Sequence, residues 1–574
     1  MISNDAEMKR MRQMEQTIDS TQRGCTSSLL MSCIILTLTT AFVFGWGLAA
    51  PNMYNHYTEL FLKGENPCSI EYDVAIQSKQ NLTVISSINV HSKLDVMIDE
   101  DYAGNEKNIN PNFQLSPDTL RVNRDSNNNI ETNMKKERLD FVNELIKGIP
   151  QTIFLVGAFI GALTGPFWLK VIDRKQAVYV NYIFTFTSSL CMLLSYYLNV
   201  SWLFYLSRFL LGYQGGMACV VVPSYIGEIA SQRVRGRAGS AFRLSLTIGI
   251  LIAQVTGMPF MAGNCYSWGW GLAIVSLLPF IGLFLLFLIP NSPTQMIAVY
   301  NNEEQAREDL RKLRGTENVQ ADIDIIHRQI QQRTSGSQSK VLSIPKVLIS
   351  ARYRWPMLTT MILQWSQALS GINAVFFYSS KMFLKAGISP TMIPYANIGT
   401  GLINVIATLI GLSLIERIGR RALIIYPMVV MVVVFGVLTF LIEYNEDRNS
   451  TRLGVIAVIF VFIFLVCFSI GLGPIPFFYA NEVSRPEARN SIQALGFVVN
   501  YVGNIILSLF FPAFNSMLGG YVFLIFLFFL LISLGFLWLK MPETRNSTIG
   551  DLENFWKIPS NPPSDSLIVS SVKT

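Results

Sequence analysis

Long runs of mainly uncharged, apolar residues alternate along this chain with polar stretches. The hydrocarbon core of a bilayer is about 30 Å thick, and an α-helix needs roughly 20 apolar residues to cross it. Twelve runs reach that length and predict twelve transmembrane helices. Their ranges are 27–50, 148–169, 176–198, 202–223, 244–262, 268–290, 355–380, 391–415, 422–442, 454–480, 491–514 and 518–539.

The composition agrees with an integral membrane protein, because 51% of the residues are hydrophobic and 14% are charged. The net charge of +7 is modest, and we expect no nucleic acid partner. Seven cysteines without Cys-x-x-Cys spacing and three dispersed histidines indicate no metal site. Motifs of nucleotide-binding proteins, serine hydrolases and zinc proteases are absent from the sequence, so we expect neither an enzyme nor a cofactor.

Basic residues collect in alternate loops between the predicted helices, near 170–175, 233–237, 417–421 and 485–489. Loops rich in Lys and Arg face the cytoplasm, so both termini are predicted to be cytoplasmic. A plasma membrane location follows as our expectation. The same alternation places the acceptor sequence at Asn81 outside, where glycosylation is possible.

Cys68 and Cys265 also lie outside in this topology. They are able to pair, but their spacing along the chain does not show it, and two free or unrelated thiols are the favoured interpretation.

The ranges divide the chain into five parts. We predict a cytoplasmic tail, an N-terminal six-helix half, cytoplasmic linker helices, a C-terminal six-helix half and a second cytoplasmic tail. Their bounds are 1–26, 27–290, 291–354, 355–540 and 541–574. Within the first half, the polar segment 52–147 is predicted to be an outer surface loop with limited structure.

Weak self-similarity relates the two halves. Glu228 and Arg235 follow the fourth predicted helix, and Glu482 and Arg489 follow the tenth at an offset of 254. Parallel repeats of this kind place a substrate site at the middle of the membrane between the halves, which rock to give alternating access. The alternative is that charged turns of membrane proteins resemble each other by chance.

None of the twelve runs contains Asp or Glu. An ion-coupled carrier normally needs a carboxylate inside the membrane that takes up and releases the ion. The sequence therefore favours downhill movement of an uncharged solute.

Neutral polar side chains are concentrated in the seventh predicted helix and recur in the eighth and eleventh. Amides both donate and accept hydrogen bonds, which suits a polyhydroxylated substrate, although buried amides also bond one helix to another. The residues are Gln364, Gln367, Ser370, Asn373, Asn404, Asn500 and Asn504.

The tenth predicted helix contains the sequence Gly-Leu-Gly-Pro-Ile-Pro at 471–476. Pro474 and Pro476 each lack a backbone donor, so the helical hydrogen bonds must break there. This break is either a gate or a structural kink.

Several segments together resemble the facilitative glucose transporters, the sugar porter branch of the major facilitator superfamily. The matching stretches include Gln-Ala-Leu-Ser-Gly-Ile-Asn at 367–373, Glu-Arg-Ile-Gly-Arg-Arg at 416–421, Gly-Pro-Ile-Pro at 473–476 and Pro-Glu-Thr at 542–544. The resemblance implies an all-α membrane protein with the major facilitator fold, twelve transmembrane helices in two six-helix halves, and additional cytoplasmic helices. It also implies hexose uniport, with a small-molecule sugar as partner and the lipid bilayer as environment. We expect the protein to work as a monomer.

The resemblance further implies two groups of functional residues. The predicted substrate site comprises Gln367, Asn373, Asn404 and Asn500, which match family positions, and we add Gln254, Asn504 and the changed positions Arg243, Phe477 and Ser469 to it. The predicted gating residues, in an ion-pair lattice that holds the outward-facing state, are Glu228, Arg235, Glu416, Arg420, Arg421, Glu482 and Arg489, together with Pro474 and Pro476.

The chain departs from the family at four site positions. Arg243 stands where glucose carriers usually have Gln, and Ala368, Ser469 and Phe477 replace Gln, Glu and Trp. The guanidinium of Arg243 keeps its charge and is costly to leave in hydrocarbon. It either reaches the cytoplasmic interface along its flexible stem or lines the cavity and favours an anionic or altered solute. An organic anion carrier of the same fold therefore stays open as an alternative. A second alternative, of a different class, is a nutrient receptor that no longer transports.

Overall fold

The computed structural model describes residues 26–68, 122–230, 235–334, 342, 344–385, 388–389, 391–446, 451–485, 487–545, 547 and 549–558. Regular secondary structure in these ranges is helical throughout. The part before the linker contains α1 Ser27–Leu38, α2 Ala41–Lys63, α3 Val122–Val171, α4 Arg174–Leu198, α5 Ser201–Ile229, α6 Arg235–Thr256, α7 Trp268–Ala273 and α8 Leu277–Leu285.

Short helices follow in the linker, and long ones resume after it. The linker contains α9 Pro293–Ala298, α10 Glu303–Arg314, α11 Gln320–Thr334 and α12 Ile344–Ile349. The second set is α13 Arg354–Ala368, α14 Ile372–Lys385, α15 Ile393–Ile418, α16 Arg420–Glu446, α17 Thr451–Ile470, α18 Ile475–Val483, α19 Arg489–Leu518, α20 Val522–Lys540 and α21 Ile549–Phe555.

Eleven helical stretches of the described chain are long and apolar enough to cross a bilayer. They correspond to eleven of the twelve predicted spans. The exception is the predicted span 355–380, which is not one continuous helix. It is divided into α13 and α14 at Gly371, whose φ of +84° lies in the left-handed region that only glycine adopts without strain.

The tenth span is also divided, as the proline and glycine pattern predicts. α17 ends at Ile470 and α18 begins at Ile475, so the residues between them leave the helical hydrogen-bond ladder. Backbone carbonyls at this break become available to side chains of neighbouring helices.

The closest helix contact in the first half joins α3 and α5 through glycines. A Cβ atom at Gly157 would lie 2.2 Å from the carbonyl oxygen of Phe209, and one at Gly216 would lie 1.8 Å from that of Ala158. Any larger residue at these positions would push the two backbones apart. The function of these glycines is packing, because they let the backbones of α3 and α5 come into direct contact.

The prediction that 52–147 is a loop with limited structure was wrong at both ends. α2 continues to Lys63, and α3 begins at Val122, well before the apolar run. Polar residues at these ends continue helices that the apolar runs start, because the backbone bonds within a helix do not require an apolar sequence. The predicted glycosylation site at Asn81 lies outside the described residues.

The favoured interpretation of Cys68 and Cys265 as free thiols was also wrong. Their sulfur atoms form a disulfide across a sequence separation of 197 residues, with the Cα atoms 5.1 Å apart. The bond joins the segment after α2 to the segment before α7. We call this end of the helix bundle the disulfide end.

The last helix, α21, packs at the opposite end of the bundle. Arg485 donates hydrogen bonds of 2.6 and 2.8 Å to the Glu553 carboxylate, and the Trp556 indole donates one to the Lys540 carbonyl. Burial raises the pKa of the Glu553 carboxyl, but the hydrogen bonds and positive charge of Arg485, with Arg352, outweigh it and lower the pKa overall. The carboxylate therefore remains charged at neutral pH.

Candidate functional site: a central cavity lined by amides and one guanidinium

A cavity lies at the centre of the molecule, between helices of the first and second sets. Its open volume is about 50 Å³, which is room for a few water molecules. The lining residues are Phe44, Leu48, Leu155, Cys219, Arg243, Leu246, Ile250, Gln367, Ile372, Asn373, Phe376, Phe468, Phe477, Phe497, Asn500, Tyr501 and Asn504. A sugar fits only if the halves separate or the side chains rearrange.

The broken seventh span and α19 place four amides on one wall of this cavity. The Asn500 side chain donates hydrogen bonds of 2.9 Å to the Gln364 carbonyl and to the Gln367 side-chain oxygen. Asn504 donates to the Asn500 side-chain oxygen, and Asn373 donates to Asn504. The four amides thus form a chain in which Asn500 bonds to two neighbours.

Gln367 also anchors the wall to the break in the tenth span. Its side-chain nitrogen donates to the carbonyl oxygens of Leu472 and Gly473, at 2.8 and 3.0 Å. Gln364, one turn earlier, donates to the Pro476 carbonyl at 3.0 Å. The Leu472 and Gly473 carbonyls lie in the break and the Pro476 carbonyl lies in the first turn of α18, so these hydrogen bonds link the break directly to the amide wall.

Arg243 lies in this cavity and not at a membrane interface. Its side chain is 7% exposed, and its guanidinium carbon is 5.5 Å from the centre of the Phe468 ring. The sequence left two positions open for this side chain, at the cytoplasmic interface or in the cavity lining, and the structure places it in the cavity lining. α6 turns this side chain inward, because Leu246 and Ile250, three and seven residues further on, line the same cavity.

Three of the predicted site residues do not line the cavity. Ser469 donates to the Asn404 side-chain oxygen at 2.7 Å, and both are fully buried between α15 and α17. Gln254 donates to Thr400 at 3.1 Å, closer to the disulfide end. Their polar groups join helices to each other. Phe477, by contrast, lines the cavity and contacts Phe242 and Phe497.

Arg208 was missed by the sequence analysis. It lies on α5, is 1% exposed, and donates hydrogen bonds of 2.9 Å to the Gly47 carbonyl and the Gln151 side-chain oxygen. Its guanidinium carbon is 4.7 Å from the centre of the Phe154 ring. A charged residue within the fourth apolar run was the available signal, because such residues are rarely left without a function.

Opposite the disulfide end, Arg420 and Glu482 form a strong ion pair. The Nε and Nη2 atoms of Arg420 both donate to the Glu482 carboxylate, with the closest approach at 2.7 Å, and Thr544 also donates a hydrogen bond to it at 2.5 Å. The backbone N–H groups of Arg420 and Arg421 both donate to the Glu543 carboxylate. We call this end of the bundle the charged end.

The first half contains the corresponding arrangement, with a different arginine from the one predicted. Glu228 pairs with Arg174 at 2.9 Å and accepts a hydrogen bond of 2.5 Å from Ser292. Arg174, Glu228 and Ser292 match Arg420, Glu482 and Thr544 at offsets of 246, 254 and 252. These similar offsets were the signal that would have identified Arg174, Ser292 and Thr544.

For the remaining predicted lattice residues, the structure gives the position of each along its helix. Arg235 and Arg489 begin α6 and α19, and Glu416 lies in the last turn of α15. The side chains of Arg235 and Glu416 lie outside the described part of the chain. Both described pairs, Arg174 with Glu228 and Arg420 with Glu482, join helices within one half.

At the disulfide end, hydrogen bonds connect helices of the first set with helices of the second. Asn52 donates to Ser379 at 2.9 Å, and the hydroxyls of Thr152 and Ser508 are 2.7 Å apart. Together with the Gln254 to Thr400 bond, these contacts close the cavity at this end. The described ion pairs are present together with these contacts, and the function of the lattice in holding the outward-facing state stays a prediction.

Comparison with known proteins agrees with this architecture. The family described as sugar (and other) transporter matches residues 112–556, more than half of the chain. The chain belongs to this sugar transporter family. It is similar to facilitated glucose transporter member 3 of Homo sapiens, with 33% identity over 400 residues that cover 70% of this chain and 79% of that protein. It is also 31% identical to member 1 of Gallus gallus over 70% of this chain and 80% of that protein.

Solved structures show that this family member has the major facilitator fold. The proton:xylose symporter XylE bound to 6-bromo-6-deoxy-D-glucose matches with a TM-score of 0.65 at 18% identity, covering 92% of this chain and 99% of that one. A partially occluded inward open form of XylE from E. coli matches with a TM-score of 0.63. This transporter is therefore a multi-pass membrane protein with two six-helix halves, and not an enzyme.

Proposed function

We propose that this transporter moves a hexose or a related polyol across the plasma membrane by facilitated diffusion, as a monomer. The halves would alternate between two conformations, each of which opens the cavity to one side. The Lys and Arg bias of the loops favours a cytoplasmic charged end and cytoplasmic termini. The domain bounds predicted from the sequence, with the linker at 291–354, are part of this proposal.

The observation that carries the proposal is the chemistry of the cavity wall. Amide side chains supply paired donors and acceptors for hydroxyl groups, and aromatic rings such as Phe376 and Phe477 cover the apolar face of a sugar ring. The names of the similar proteins, facilitated glucose transporters, support the same substrate class.

Uniport is supported by the charges around the cavity. Its described lining contains no Asp or Glu that could bind a proton or Na⁺ during transport. Arg208, the other arginine buried near the centre, bonds to a backbone carbonyl and an amide and not to a carboxylate. XylE is named a proton:xylose symporter, but 18% identity supports a common fold and not a common coupling ion.

A direct test uses purified protein in liposomes without ion gradients. We expect saturable uptake of radiolabelled D-glucose, D-fructose or myo-inositol that stops at equal internal and external concentrations, with no saturable uptake of L-glucose. Flux indistinguishable from that of protein-free liposomes for every compound would contradict the proposal. A sugar that still protects the protein against heat in that case would identify the receptor alternative.

A further inference from the structure

Arg243 is the one charged residue among those that line the cavity in the described part of the chain. Its Nε and Nη2 atoms are buried and have no hydrogen-bond partner. A guanidinium keeps its proton at all pH values that proteins tolerate, so the positive charge is permanent. The ring of Phe468 faces it, but a ring offers only weak compensation for a buried charge.

Arg208 provides an internal comparison within the same bundle. It is also buried, and two acceptors, the Gly47 carbonyl and the Gln151 amide oxygen, each lie 2.9 Å from its Nη2 atom. Neighbouring helices thus provide hydrogen-bond acceptors for Arg208, whose function is to hold the bundle together. At Arg243, by contrast, Nε and Nη2 have no such acceptor, and the residue lines the central cavity.

Three chemical features therefore meet in one cavity: an unpartnered guanidinium, a row of amides and apolar rings. A guanidinium binds a planar carboxylate through two parallel hydrogen bonds. The amides of Gln367, Asn373 and Asn500 suit hydroxyl groups. A molecule with both a carboxylate and several hydroxyls can pair with the charge of the guanidinium and bond to the amides at once, which a neutral sugar cannot.

We propose that the preferred substrate is a sugar or polyol that carries a carboxylate, and that Arg243 binds this carboxylate. The proposal rests on the proposed function, because it assumes that the cavity is the sugar site. It adds a specificity-determining residue and a charge class of substrate. Neutral hexoses still enter, but they leave the guanidinium without a partner and bind more weakly.

The charge has a consequence for transport. The loaded site is electrically neutral when a carboxylate pairs with Arg243, whereas the empty site is positive. Uniport of such a substrate moves one negative charge per cycle, so its final distribution must follow the membrane potential. The ratio of internal to external concentration is expected to change about tenfold for 59 mV.

The matched ligands for the test are D-glucose and D-glucuronate, which differ only at carbon 6, with propionate as a carboxylate that lacks hydroxyls. Competition is measured against radiolabelled D-glucose in liposomes. We expect D-glucuronate to inhibit at an approximately tenfold lower concentration than unlabelled D-glucose, and propionate to inhibit weakly. Labelled D-glucuronate should enter and distribute with a potential set by K⁺ and valinomycin.

Two substitutions and one control assign the effect to Arg243. Arg243→Gln is expected to raise the inhibitory concentration of D-glucuronate about tenfold to hundredfold relative to that of D-glucose. Arg243→Lys keeps the positive charge but loses the two parallel hydrogen bonds, so it is expected to raise this ratio by less than Arg243→Gln does. Arg452→Gln removes the same charge from an exposed position of α17 and should leave the ratio unchanged.

Failure of this inference is distinguishable from failure of the proposed function. Suppose that D-glucose uptake is saturable, but D-glucuronate neither inhibits it nor enters the liposomes itself. This result would overturn only the role of Arg243. An unchanged ratio in a folded Arg243→Gln protein would do the same, and so would equally strong inhibition by propionate, which would indicate a general anion site. Absence of any saturable sugar flux would overturn the proposed function itself. If Arg243→Gln does not fold, the unmodified protein still tests the inference. The two measurements are the relative inhibition by D-glucose and D-glucuronate, and the dependence of D-glucuronate distribution on the membrane potential.

Discussion

Asn500→Ala is expected to raise the sugar concentration needed for half-maximal uptake by about tenfold or more. Asn500 donates to Gln364 and Gln367 and accepts from Asn504, so its removal disrupts the centre of the amide wall. The loss of a buried hydrogen-bonding group costs about 1–3 kcal/mol, and 1.4 kcal/mol corresponds to a factor of ten in binding. Uptake kinetics of labelled D-glucose in liposomes measure the effect.

The control for this prediction is Asn181→Ala. Asn181 and Gln214 form a buried amide pair on α4 and α5 that lies outside the cavity lining. Its loss should lower the melting temperature of the protein but leave the half-maximal concentration of sugar unchanged. A folded Asn500→Ala protein with an unchanged half-maximal concentration would show that the sugar binds elsewhere.

Glu482→Gln is expected to reduce thermal stability and sugar flux together. The side chains of Arg420 and Glu482 are 14% and 24% exposed, so the substitution leaves a largely buried positive charge without its counter-charge. Loss of one partner of such a pair costs about 3 kcal/mol, which corresponds to a decrease in melting temperature on the order of 5 °C. A thermal shift assay and initial uptake rates on the same preparation measure both effects.

This prediction separates two functions of the ion pair. A brace within one half, as the described geometry has it, loses stability when broken. A lock between the halves would instead change which side of the cavity is accessible to a thiol reagent, at unchanged melting temperature, and that result would contradict our interpretation. Glu317→Gln serves as control, because the Glu317 side chain is 90% exposed and its pair with Arg311 contributes little.

The sequence predicted the spans and the amide wall because both depend on simple periodicities. A bilayer sets the length of an apolar run. Spacings of three and four residues place Gln364 and Gln367 on one face of α13, and Asn500 and Asn504 on one face of α19. The break in the tenth span followed from the backbone chemistry of proline. The break at Gly371 was harder to predict, since glycine in a membrane helix often continues the helix.

Other features depend on how each helix is rotated about its axis, which hydropathy does not specify. Asn404 and Ser469 are polar residues in apolar runs, as Asn500 is, yet they bond to each other and not to the cavity. For Arg243 the sequence left open whether the side chain reaches the cytoplasmic interface or turns into the cavity. Cys68 and Cys265 were predicted to share a side of the membrane, but a separation of 197 residues says nothing about the distance between them.

Uncoupled transport is the central claim, and accumulation against a gradient tests it most directly. Liposomes containing the protein receive labelled D-glucose together with an inward proton gradient or an inward Na⁺ gradient, while K⁺ and valinomycin hold the membrane potential at zero. A neutral sugar at zero potential responds only to chemical coupling. The account predicts that internal D-glucose rises to the external concentration and stops there under both gradients. Transient accumulation above the external concentration, abolished when the gradient is collapsed, would contradict it.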